Sequence, residues 1–188
     1  MKSNVSFNST LTKFGIGLFE TIKVTDYPLD LDLHMNRLFN SIKELNLSIE
    51  NDKEFYKETI LKYIKENNVK NKALRLTVFD EGYNISLRDI TYNEDTYKKG
   101  FSLCISPIKR GDSIIYRHKT TNYFESMYSK HYATDRNFDD AIFLDSLSNI
   151  LECSMSNIFF IKSNTIYTPK SSSPILNGIM KSNEIGRA

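Results

Sequence analysis

The sequence predicts an α+β fold in two parts, an α/β first half followed by a β-rich second half with helices. Three observations carry this reading. A β-branched and aromatic run, Phe19 to Val24 (FETIKV), leads into two stretches with apolar residues at helical spacing. Two further strand-like runs then flank a glycine turn near residue 82. After Lys119 the apolar residues fall mostly in short runs between turn residues.

The first strand ends where Asp26 and Pro28 interrupt it. From about Leu31 to Leu47, the residues Met35, Leu38, Phe39, Ile42 and Leu45 form one face of an amphipathic helix, with Asp30 as the expected N-cap. A second helix is expected over Lys53–Glu66, with Phe55, Ile60, Leu61 and Ile64 inward and Asn67-Asn68 ending it. Ala73–Phe79 and Tyr83–Leu87 read as strands joined by Asp80-Glu81-Gly82, where glycine supplies a positive φ. Phe101–Ser106 is a further strand, stopped by Pro107. The polar, Gly111-containing stretch Ile108–Tyr116 is expected to link two domains, 1–107 and 117–188. Beyond it come a helix over Tyr123–Asp135, a strand over Ala141–Leu144, and a turn at Ser146–Asn149 leading to a strand that ends at Glu152. Ile158–Ile161 and Thr165–Thr168 make a hairpin around Ser163-Asn164, and a last helix starts near Gly178.

Composition narrows the function classes. The 188 residues, 40% hydrophobic and 26% charged, suit an ordinary soluble chain with a real core. A net charge of +2 without a basic stripe argues against a nucleic-acid partner. Cys104 and Cys153 stand alone, so a reducing, cytoplasmic setting is expected. His34, His118 and His131 lack metal-ligand spacing, so no metal is expected. No apolar run reaches membrane-spanning length, and the N-terminus lacks a signal-peptide core.

Three features, in order, suit a protein that holds pyridoxal phosphate: Lys119, then the strand-end carboxylate of Glu152, then the Gly-led helix start at Gly178-Ile179-Met180. The lysine would form the Schiff base, the carboxylate would hold the ring nitrogen, and the backbone N–H groups would hold the phosphate. Each alone is ordinary. Most lysines and glutamates are solvated, and Asn177 could simply cap the helix. Arg37, a candidate bidentate phosphate donor, lies off the apolar stripe of its helix and faces either water or a cleft. Tyr123 and Asn122 could stack on or bond a ring, although a core tyrosine is more usual.

The motif order is more specific than any of its parts. Phe14-Gly15-Ile16-Gly17-Leu18-Phe19-Glu20-Thr21, His34-Met35-Asn36-Arg37-Leu38, His118-Lys119-Thr120-Thr121-Asn122-Tyr123, Asp140-Ala141-Ile142-Phe143-Leu144, Glu152, Ser156-Asn157-Ile158-Phe159, Thr168-Pro169 and Gly178-Ile179 follow one another along most of the chain. This pattern resembles the class IV, or fold-type IV, pyridoxal-phosphate enzymes, which include 4-amino-4-deoxychorismate lyase, branched-chain aminotransferase and D-amino acid aminotransferase. The resemblance implies a two-domain fold of the D-amino acid aminotransferase kind, pyridoxal 5′-phosphate as cofactor, a small amino substrate and a homodimer. It implies Lys119 as the Schiff-base lysine and proton shuttle, and Glu152 as partner of the ring nitrogen. Arg37 and the amides at Ile179 and Met180 would hold the phosphate, with Gly178 opening that turn, while Tyr123 and Asn157 would sit near the cofactor.

Within the family, Lys119-Thr120-Thr121-Asn122, Glu152-Cys153-Ser154 and Asn177-Gly178-Ile179-Met180 look most like the lyase, which eliminates pyruvate to leave 4-aminobenzoate for folate synthesis. Branched-chain aminotransferases usually carry Gly-Gly after the lysine and Thr after Gly-Ile. A branched-chain or D-amino acid transaminase is the alternative. Two departures stand out: Lys181 occupies a position where the family usually has Arg, and the family continues past the position of Ala188 through a helix and closing strands. An incomplete second domain is therefore expected, and with it an impaired enzyme as a further alternative.

Overall fold

The computed structural model describes residues 1–186. These form two units: Met1–Asn93 with Lys119–Asn122, and Glu94–His118 with the chain from Tyr123 onward.

The first unit opens with a short helix that the sequence reading lacked, α1 (Thr10–Phe14). Its ends follow ordinary capping chemistry: the Ser9 hydroxyl accepts from Leu11 N–H, and Gly15 closes the helix at φ 68°. Then come β1 (Leu18–Val24), α2 (Leu31–Glu44), α3 (Lys53–Glu66), β2 (Lys72–Phe79) and β3 (Gly82–Asp89). The three strands form an antiparallel sheet in the order β1-β2-β3, with Leu18 opposite Val78 and Val24 opposite Lys72. Phe79 pairs with Gly82 across Asp80-Glu81, and Gly82 takes φ 130°. Alternation sends Leu18, Ile22, Val24, Leu74, Leu76, Val78 and Ile85 to one face, where Met35, Leu38, Tyr56, Ile60 and Ile64 of the two helices cover them.

Two details of the helices differ from expectation. Asp30 occupies the N-cap position of α2 in a left-handed conformation, φ 53°, and its side chain makes no capping bond. A working cap needs extended backbone so that the carboxylate can turn back over the first amides. Asp52 has that geometry and accepts from Phe55 N–H at 2.8 Å. On α3 the inward residues are Tyr56, Ile60 and Ile64, whereas Phe55 and Leu61 are exposed. Tyr56 takes the central place because its ring packs edge-on against Tyr83 and Phe55.

The second unit contains α4 (Glu94–Lys99), β4 (Leu103–Arg110), a 3₁₀ turn at Ile114–Arg117, α5 (Phe124–Thr134), β5 (Asp140–Asp145), β6 (Ile150–Cys153), β7 (Phe160–Lys162), β8 (Thr165–Tyr167) and α6 (Ile179–Ile185). β4 pairs parallel with β5, β5 pairs antiparallel with β6, and Phe143, Leu151 and Ile175 centre the core. A parallel pair requires a crossover, and α5 lies within it and packs on both strands. The hairpin β7–β8 turns through Ser163 and Asn164, both at positive φ, as a two-residue turn requires.

The domain boundary and the linker need correction. Residues 108–116 are not a linker, because β4 runs through Pro107 to Arg110 and the 3₁₀ turn follows. Pro107 is tolerated because β4 pairs on one side only among the described residues, and its register with β5 shifts between Ile105 and Lys109. Pairing with β5 places residues 94–107 in the second unit, and Lys119–Asn122 joins the first.

Candidate active site

In the first unit the residues around Lys119 are held by the leading edge of β1. Phe19 N–H donates to the Lys119 carbonyl at 2.9 Å, and Thr121 N–H donates to the Gly17 carbonyl at 2.8 Å. The Thr121 hydroxyl donates to the Gly15 and Gly17 carbonyls. A Cβ on Gly17 would lie 3.1 Å from Thr121 Oγ1, so this glycine admits the close approach. The Phe-Gly-Ile-Gly sequence is thus a seat for the lysine segment. Lys119 is half-buried and its Nζ lies 4.5 Å from the centroid of the Phe19 ring.

Arg37 faces Glu20. Its Nε donates to Oε1 at 2.8 Å and its Nη2 to Oε2 at 2.6 Å, a fork-to-fork pair, while His34 Nδ1 lies 2.7 Å from Oε2. Burial pushes the Glu20 carboxyl up, but the hydrogen bonds from His34 and Arg37, with the Arg37 charge, hold it below its ordinary value. Phe19 and Glu20 are successive residues of β1, so the contacts of Lys119 and Arg37 fall on opposite faces of the sheet. The structure does not bring these two cations together.

In the second unit one expected residue, Asn157, bonds Glu152, which is buried near the end of β6, and Gly178 lies against Asn157. Arg110 Nη1 donates to Oε1 at 2.6 Å. Leu176 N–H donates to Oε2 at 3.1 Å, and Asn157 Nδ2 donates to the same oxygen at 3.3 Å. Asn157 also donates to the Leu176 carbonyl at 2.9 Å. Gly178 precedes α6 at the N-cap position, and a Cβ there would collide with Asn157 Oδ1, so glycine lets the loop close over Asn157. Asn177 does not cap α6; its amide donates to the Ser171 carbonyl. Ile179 is buried and Met180 exposed, and Tyr123 stands half-buried at the N-cap position of α5.

Other buried groups complete the picture. Lys181 is 3% exposed, donates Nζ to the Pro169 carbonyl at 2.7 Å, and is pushed below its usual range by burial against the opposing pull of Glu152. Burial, assisted by the charge of Asp140, raises the Cys153 thiol to about 11, and both cysteines are free. Among the described residues there is no metal-holding cluster, and no helix is long and apolar enough to cross a membrane.

The sequence reading missed two groups. Glu20 had a signal, since alternation through Leu18, Ile22 and Val24 puts a carboxylate on the apolar face, one helical turn of α2 supplying both partners. Arg110 had little, because its partner Glu152 lies 42 residues away and the chain around it reads as polar linker.

The chain has a mixed helix-and-sheet fold already known in enzymes. It superposes with a TM-score of 0.89 on the T.th. branched-chain amino acid aminotransferase solved with pyridoxamine 5′-phosphate, at 23% identity, covering 100% of this chain and 69% of that one. The corresponding enzyme of Thermoproteus uzoniensis, solved with norvaline, gives 0.87 at 22% identity, covering 100% and 70%. Residues 17–185 match the model of the amino-transferase class IV family, and the chain belongs to that family. Aminodeoxychorismate lyase of Bacillus subtilis is 27% identical over 189 residues, covering 89% of this chain and 63% of that protein. Branched-chain-amino-acid aminotransferase of Pseudomonas aeruginosa is 27% identical over 191 residues, covering 89% and 62%. The chain therefore spans less than two thirds of the length of these curated relatives.

Proposed function

We propose that the protein binds pyridoxal 5′-phosphate and eliminates pyruvate from 4-amino-4-deoxychorismate to leave 4-aminobenzoate, as a cytoplasmic homodimer. The observation that carries the cofactor reading is the buried carboxylate of Glu152, balanced by Arg110 and pinned by Leu176 and Asn157. The residues suit the group: an amine at Lys119 for the aldehyde, the Glu152 carboxylate for the ring nitrogen, and backbone N–H groups at Ile179 and Met180 for the phosphate. When bound, the cofactor supplies an electron sink for the charge left when a substrate α-proton departs.

The chain's own residues do the rest. Lys119 would hold the group through Nζ, and the same nitrogen would carry the substrate α-proton. Glu152 would accept a hydrogen bond from the ring N–H. The N–H groups of Ile179 and Met180 would hold the phosphate, while the Arg37 fork is taken up by Glu20 within the first unit. Asn157 donates to the Glu152 carboxylate and helps fix it, and Tyr123 would sit near the group.

The lyase reading is supported by Thr120-Thr121 in place of Gly-Gly after Lys119, by Met180 in place of Thr after Gly-Ile, and by the lyase among the relatives. The aminotransferase relatives favour a second reading, in which the same residues release a keto acid. One experiment separates these. The purified protein with pyridoxal phosphate should show a visible Schiff-base band that Lys119→Ala lacks, and should release pyruvate from 4-amino-4-deoxychorismate. A band without pyruvate, but with keto acid formed from leucine and 2-oxoglutarate, makes it a transaminase. No band in either protein defeats the cofactor reading.

A further inference from the structure

Resting on that reading of Glu152, we infer that Arg110 is a positioning residue whose buried guanidinium fixes the orientation and the negative charge of the Glu152 carboxylate. Arg110 ends β4 and is 5% exposed. Its guanidinium carbon lies 3.7 Å from the centroid of the Phe143 ring and 4.6 Å from that of Tyr116, so two aromatic faces hold it. Nη1 reaches Glu152 at 2.6 Å and Nη2 reaches the Ser126 hydroxyl at 3.4 Å. With Leu176 and Asn157 on the other oxygen, Glu152 is gripped at both ends of its carboxylate by three separate segments.

Stability alone does not require this arrangement. A buried ion pair is costly to desolvate, and apolar residues of similar volume often serve the fold as well. An arginine is the one side chain that stays charged at every working pH. Beside a carboxylate it favours the anionic form, and its Nη1 bond to Oε1 helps set the Glu152 rotamer. Other charged or titratable groups around Glu152 include Lys181 of α6 and Cys153 of β6, both of which feel its charge, and Cys153 also feels Asp140 of β5. Tyr116 donates to Glu125 of α5, and that carboxylate stands 3.6 Å from Arg110 Nε. Arg110 is a permanently charged group that touches the Glu152 carboxylate directly.

The test uses the full chain with pyridoxal 5′-phosphate as probe. Arg110→Met and Glu152→Gln are made singly and together, and binding is read from the visible band and from thermal stabilisation between about pH 5 and pH 9. Arg110→Met should move the acid limb of binding up by about one pH unit, which weakens binding about tenfold on that limb, the effect of losing an adjacent opposite charge. Glu152→Gln should remove that limb. In the Glu152→Gln background Arg110→Met should change affinity by no more than about twofold, because the two act as one unit. The double variant leaves no orphaned charge and so serves if Arg110→Met alone does not fold, with Arg110→Lys as the single-site arm. An unmoved acid limb in folded Arg110→Met, or an equal loss of affinity in both backgrounds, overturns the inference. A wild type that neither absorbs nor is stabilised overturns the cofactor reading beneath it, so the two failures are distinct.

Discussion

Glu20 shows what a single buried carboxylate does in this molecule. It is 1% exposed and carries His34 on one oxygen and the Arg37 fork on both. Glu20→Ala would leave Arg37 without its counter-charge and should cost about 3 kcal/mol in urea denaturation, the low end for a broken buried pair because Arg37 keeps some contact with water. The pH dependence has a definite sign. The folded carboxyl ionises more readily than the unfolded one, so its contribution is complete above the ordinary value of 4.5 and is lost as pH falls through the lower folded value. The stability gap between wild type and Glu20→Gln should therefore narrow below about pH 4.5. A gap that stays constant down to the folded value would mean that the carboxyl is not held low. The same residue shows how sequence becomes geometry. Alternation along β1 places Glu20 inward, and a helix whose His34 and Arg37 are three residues apart presents both partners on one face. Arg110 follows no such local rule, since strand pairing with β5 and the return of β6 bring Glu152 to it.

At the scale of elements, what was legible depended on whether the deciding contact was local. The hairpin turn at Ser163-Asn164, the β2–β3 turn and the extent of α3 are set by backbone preferences within a few residues, and they lie where the sequence places them. The orientation of α3 was not legible, because Tyr56 gains its place from Tyr83 on β3 rather than from its own hydrophobicity. Nor was the run of β4 past Pro107, where a register shift absorbs the missing donor. The small helices α1 and α4 carry modest signals: a serine cap with a closing glycine in one, and acidic first and basic last turns in the other. Capping in the second long helix gives a clean prediction. Asp52 accepts from the Phe55 amide, so Asp52→Ala should destabilise by about 1 kcal/mol in thermal or chemical unfolding. An unchanged midpoint would show that solvent satisfies the first turn of α3 equally well.

Taken as a whole, the molecule divides its apolar burial unevenly, and that should be visible in its local stability. The first unit gathers buried side chains from all three strands and both long helices, with Ile22, Val24, Met35, Tyr56, Ile60, Leu74, Leu76 and Val78 fully enclosed. In the second unit the cluster is Phe143, Leu151 and Ile175, and much of its polar interior is spent on the Arg110–Glu152 pair, the Ser106–Ser129 pair and Asp140. Apolar burial contributes roughly 25 cal/mol per Å², whereas buried polar pairs contribute little net stability. Opening free energies should therefore be higher in the first unit. Native-state amide exchange should show β1 and β2 protected close to the global unfolding limit, while β5 and β6 exchange through smaller openings. The candidate cofactor residues Glu152, Asn157 and Gly178 lie in that less stable unit, so pyridoxal phosphate at about 100 times its dissociation constant should add about 2.7 kcal/mol to the openings that release it. The added protection should appear in β5, β6 and the loop around Leu176, and Glu152→Gln should shrink it. Uniform protection across both units without the cofactor would contradict the uneven core. Protection gained only in β1 and β2 on adding it would place the cofactor's main hold away from Glu152.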